Sequence, residues 1–74
     1  MTLHELGSAL SNMYSESDDG EAVAMIHLFG VKYADEIRIS GESMRAIVLA
    51  AGLPQSYCTE VAKGVKLSKY VQVK

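Results

Sequence analysis

The chain has 74 residues, 49% hydrophobic and 22% charged, with one cysteine and a formal net charge of −2. That composition describes one small folded domain rather than a disordered segment, and so short a chain buries only a limited core. A single thiol excludes an internal disulfide framework and points to a reducing, cytoplasmic setting. No apolar run is long enough to span a membrane, and the start MTLHELGSALSNMY lacks the basic and long apolar regions of a secretory leader.

Thr2 and Glu5 have the spacing of a capping box, and Leu3, Leu6, Ala9, Leu10, Met13 and Tyr14 recur at helical intervals, which predicts a helix over Leu3–Ser15. The polar run Ser15–Gly20 reads as a loop. Its acids lack the length and terminal glutamate of a calcium-binding loop. Asp18 and Glu21 repeat the capping spacing, and a helix from about Glu21 to Phe29 follows. Val23, Ile26, Gly30, Tyr33, Ala34 and Ile37 share one face of that pattern, widened by Ala22, Met25 and Phe29. Gly30 either interrupts the helix or lets it run on to Glu36, and if buried it allows a neighbouring helix to approach closely. Ile37 and Ile39 alternate about Arg38, the pattern of a short extended piece.

Ser40 or Gly41 is expected to start the next helix, with Met44, Ile47, Val48 and Ala51 as its apolar face. Gly52 suits a left-handed position after it, and Pro54 a first helical residue, where a missing N–H costs nothing. Cys58, Val61 and Ala62 give the following helix an inward face, and Gly64 can terminate it. In the tail, Val65 alternates with Leu67 and Val71 with Val73. This predicts a small wing hairpin, a strand paired with Ile37–Ile39, or a terminal helical turn. The fold expected is mostly α: a compact bundle of about four helices in a single domain over residues 1–74, with a short C-terminal β wing as an option.

Charge is distributed unevenly. Residues 1–37 carry a net −6 and residues 38–74 a net +4. Such asymmetry marks either a basic face on the second half or attraction between the two halves.

The stretch from Glu42 to Gly64 thus reads as two short helices joined at Ala51, Gly52 and Leu53. Over Met44–Lys63 it resembles the helix-turn-helix superfamily of DNA-binding proteins, through Ile47, Gly52, Leu53, Cys58 and Val61. Val48 stands where the superfamily commonly has a small residue, and Pro54 is unusual but permitted. The resemblance implies noncatalytic binding of double-stranded DNA by a small transcriptional regulator or DNA-reading component, with Gln55–Lys63 as the recognition helix. Its outward residues would be Gln55, Ser56, Thr59, Glu60 and Lys63, with Tyr57 at the edge. Gln pairs with adenine, Ser and Thr contact bases or phosphates, and Glu accepts from cytosine but repels phosphates. Arg45, Lys63, Lys66 and Lys69 would neutralise phosphates. So few phosphate contacts imply modest affinity for a monomer, and therefore a homodimer or a larger protein partner. The same resemblance admits a protein-interaction module, which an exposed apolar patch around Met13, Tyr14, Met25 or Phe29 would mark.

No catalytic constellation is present, and neither a cofactor nor a metal is expected. His4 and His27 lie on different predicted helices without ligands at metal-binding spacing. Cys58 reads as a packed thiol, Gly-rich phosphate loops are absent, and Met1, Met13, Met25 and Met44 are spread as core filler.

Overall fold

A computed structural model of the chain describes residues 1–73. The capping box at the start closes as expected: the Glu5 amide donates to the Thr2 hydroxyl at 3.1 Å, and the Thr2 amide donates to the Glu5 carboxylate at 2.8 Å. The bond from the Thr2 amide, and then the Thr2 hydroxyl, hold the Glu5 carboxyl below its ordinary value. Helix α1 runs over Leu3–Ser15 and buries Leu6 and Leu10 completely.

Helix α2 covers Ala22–Lys32. Asp18 does not cap it. The Asp18 carbonyl accepts from the Glu21 amide at 3.0 Å within a turn, and Glu21 takes the cap position with no side-chain bond. The helix passes through Gly30 and bends at Tyr33 (φ −107°, ψ 16°), which ends α2 and begins α3, Ala34–Ser40. The Tyr33 ring packs on Phe29 at 5.2 Å between centroids, anchoring the corner. The extended piece expected at Ile37–Ile39 is therefore helical. Ala34 and Ile37, three residues apart, are both buried while Ile39 is 79% exposed. Asp35 and Glu36 further suit a helix N-terminus.

Helix α4, Met44–Ala50, starts later than expected. Ser43 caps it, accepting from the Ala46 amide at 3.0 Å, whereas Gly41 sits left-handed (φ +71°) at the end of α3. Gly52 (φ +75°) closes α4 as the sequence requires. The Gly52 and Leu53 amides donate to the carbonyls of Leu49 and Val48 at 3.0 and 3.2 Å, a Schellman arrangement. Pro54 leads into a single 3₁₀ turn, Gln55–Tyr57, and then helix α5, Cys58–Leu67.

Gly64 does not terminate α5. It lies buried inside the helix, against Gly30 of α2. A Cβ on Gly30 would fall 2.5 Å from the Val61 carbonyl oxygen and 2.8 Å from the Gly64 Cα. One on Gly64 would fall 2.9 Å from the Gly30 Cα and closer still to the His27 carbonyl oxygen. The two backbones cross in direct contact, as the expectation for a buried Gly30 allowed. Gly7 makes a similar approach between α1 and α4, with a Cβ there 2.7 Å from that of Ala50. Accordingly α5 packs mainly on α2 and α4 mainly on α1, while α4 and α5 touch each other less. The shared core is Leu6, Leu10, Ile26, Phe29, Ile37, Ile47, Val48 and Val61.

The result is the expected compact, mostly helical bundle, with five α-helices among the described residues. The C-terminal wing is not formed, and no strand occurs among the described residues. Val65–Leu67 belong to α5, and the amides of Ser68, Tyr70 and Val71 donate back to Gly64 and Leu67 carbonyls at 2.9–3.1 Å. The tail's backbone thus continues helical bonding, and the strand it was to pair with is itself a helix. Lys74 lies outside the described residues.

Candidate nucleic-acid interface

Helix geometry advances each residue by about 100°. On α5 this sets Thr59, Lys63 and Lys66 on one stripe, opposite the face that buries Val61 and Gly64, and all three are exposed. Tyr70 extends the same line from the closing turn and is 83% exposed. Lys69 is exposed but lies one step around from that stripe. The inner face is amphipathic by sequence and fixed by the crossing on α2, so the outer stripe is held as a rigid row.

Other expected contacts lie on either side of it. Ser56 is exposed in the 3₁₀ turn. Gln55 is exposed too, but its side chain is shared: the amide nitrogen donates to the Arg45 carbonyl at 3.4 Å, and the amide oxygen accepts from the Cys58 thiol at 3.3 Å. These long bonds tie the 3₁₀ turn to α4 and to the first residue of α5. The Arg45 side chain is exposed and has no ion-pair partner among the described residues. Cys58 is free and half-buried, in keeping with a packed thiol.

Two residues face differently from the sequence expectation. Tyr57 turns inward, packing against the core with its ring on Tyr14 at 5.7 Å between centroids, and the neighbouring Tyr14 hydroxyl pushes its pKa up. It buttresses the start of α5 instead of edging a binding face. Glu60 turns toward α2. One carboxylate oxygen bonds His27 Nε2 and the other accepts from Lys63 Nζ at 3.3 Å. The bond to His27, and then the one to Lys63, hold the Glu60 carboxyl below its usual range. Its expected repulsion of phosphate is thereby offset within the protein. His27, read from sequence as an isolated histidine, is the partner that α2 contributes.

His27, Lys63, Lys66, Leu67 and Tyr70 together line a shallow groove of about 330 Å³ along the outer edge of the α2–α5 pair. Sequence reasoning missed three of these. The spacing Lys63, Lys66, Tyr70 is readable only if the tail is helical, one of the three alternatives left open for it. His27 lies 33 residues from Glu60, and no local pattern joins them.

The apolar patch expected for an interaction module does not form where it was sought. Phe29 is fully buried, Met13 and Tyr14 pack against the core, and Met25 is half-buried. Large apolar side chains are exposed elsewhere, at Ile39 on α3, at Leu49 on α4, and at Leu67, Tyr70 and Val71 at the end of α5. Among the described residues no group of three or more His, Cys, Asp or Glu side chains could hold a metal ion, and no helix is long and apolar enough to cross a membrane. A family model described as an HTH-like domain matches residues 2–74. No curated protein and no solved structure matches the chain.

Proposed function

The chain belongs to the HTH-like domain family, and on that premise we propose that it binds double-stranded DNA without catalysis, as a small transcriptional regulator or the DNA-reading part of a larger cytoplasmic system. The observation that carries this reading is the exposed row Thr59, Lys63 and Lys66 on a helix whose opposite face is pinned by backbone contact. Helix α5 enters the major groove. Thr59 and Ser56 meet base edges, and Gln55 exchanges its two long internal bonds for a paired contact with adenine. Lys63, Lys66, Lys69 and Arg45 meet phosphates, which position the helix without reading sequence. Glu60 keeps Lys63 oriented and makes no contact of its own with the backbone of the duplex.

The number of cations in reach is small, so affinity for a single copy is modest and falls with salt only in proportion to those few phosphate contacts. Useful occupancy then calls for a homodimer on two half-sites or for a larger protein that carries the domain. The test is amide NMR of labelled protein against mixed-sequence duplexes, at low and then near-physiological salt. Shifts clustered on residues 55–69 that weaken with salt are expected. Absence of shifts at low salt would overturn the reading.

A further inference from the structure

The groove beside α5 has a chemistry that duplex DNA does not use. Its walls are almost wholly apolar, formed by Leu67, the Tyr70 ring and the aliphatic stems of Lys63 and Lys66, and the two ammonium groups stand at its rim. Leu67 is 44% exposed and Tyr70 83%, so apolar surface faces solvent at the end of α5, the helix that carries Lys63 and Lys66. Lys66 has no ion-pair partner among the described residues, and Lys63 is only partly offset by Glu60 at 3.3 Å. Phosphates satisfy the rim but gain nothing from the floor. A stacked base pair cannot enter, and a purely apolar ligand leaves the lysines unused.

The geometry points to a protein partner: we infer that this groove docks a short acidic segment carrying a leucine or aromatic anchor. The anchor fills the space between Leu67 and Tyr70, and flanking carboxylates pair with Lys63 and Lys66. A volume of about 330 Å³ is at the low end of ligand sites, roughly 300–1,000 Å³, and suits one or two side chains rather than a cofactor. The acidic stretch Glu16 to Glu21 of a second copy carries no large apolar residue to serve as anchor. The inference does not depend on DNA binding. If the DNA reading also holds, the two ligands compete, since both need Lys63 and Lys66.

The test is an NMR titration at near-physiological salt, without DNA, using two synthetic peptides of equal negative charge. One has a central Phe–Leu pair and the other has alanines in its place. Expected are saturable shifts at His27, Lys63, Lys66, Leu67 and Tyr70 with the first peptide only. Tyr70→Ala, which removes an exposed ring and leaves the core intact, should weaken that binding about tenfold, the loss of one buried side chain's transfer energy. Equal shifts with both peptides, shifts outside the groove, no shifts, or Tyr70→Ala binding as wild type would each overturn the inference. A duplex titrated separately reports on the DNA reading, so failure of one is distinguishable from failure of the other.

Discussion

Gly64 and Gly52 both look like helix-ending residues, yet an added methyl group meets opposite surroundings at the two positions. At Gly64 it collides with main-chain atoms of α2, which cannot rotate away. Gly64→Ala should therefore destabilise by about 3 kcal/mol or more, at the upper end of overpacking costs. At Gly52 nothing lies within 4 Å, and only the left-handed backbone resists a side chain. Gly52→Ala should cost only about 1–2 kcal/mol. Urea unfolding of both variants checks the order, and Gly52→Ala proving the worse would refute a tight crossing. Glu60 gives a second test at this scale. Its carboxyl is held below its ordinary value of 4.5 in the folded state, principally by His27. The stabilisation is present above the unfolded-state value and is lost as pH falls through the lowered one. The Tm advantage of wild type over Glu60→Gln should thus shrink as pH drops below 4.5. An advantage that stays constant with pH would mean that the carboxylate is not held in this way.

Capping residues set where the elements begin. Ser43→Ala removes the bond to the Ala46 amide and should cost about 1 kcal/mol, read as a lowered Tm. An equal cost from a Gly41 substitution alone would not distinguish start from stop, because Gly41 closes the preceding helix. The start of α4 was misplaced in the sequence because Ser40, Gly41 and Ser43 all carry helix-boundary chemistry, and only tertiary packing decides which one acts. Helix α1 was legible to the residue, since the Thr2–Glu5 box and the apolar spacing agree. The end of α4 was legible too, because Gly52 is followed by an apolar Leu53 that packs back on the core. Helix α3 was not, since seven residues give too few turns for periodicity, and Ile39 mimicked a strand. In the tail the strand readings gave way to the third alternative, a terminal helical turn: Val65, Val71 and Val73 favour strands intrinsically, but Val65 packs against the core from within α5. For the binding face, Thr59, Ser56 and the lysines were recoverable from helical spacing. The inward turns of Tyr57 and Glu60 depend on Tyr14 of α1 and His27 of α2, which meet them only in the folded bundle.

At the scale of the whole molecule, acids concentrate in the first half of the chain and bases in the second. For the proposed DNA contact the cations that attract a duplex come from the second half, Arg45 on α4 and Lys63 and Lys66 on α5. Lys66→Ala should weaken binding to every sequence and lower the slope of log K against log salt by about 1. Thr59→Ala should instead alter the ranking of sequences and leave that slope unchanged. Binding isotherms over a salt series, on a small panel of duplexes, separate the two effects. Identical losses for both variants on all sequences would refute base reading by Thr59.

The contact between Gly30 and Gly64 carries one more implication. Because main-chain atoms make that crossing, the placement of α5 is independent of the side chains on its outer stripe. Thr59 and Lys66 can change identity over evolutionary time, or in a selection experiment, with no compensating change inside the bundle. A domain built this way separates inheritance of its shape from inheritance of its target, so relatives that recognise unlike partners can diverge by rewriting a single row of letters.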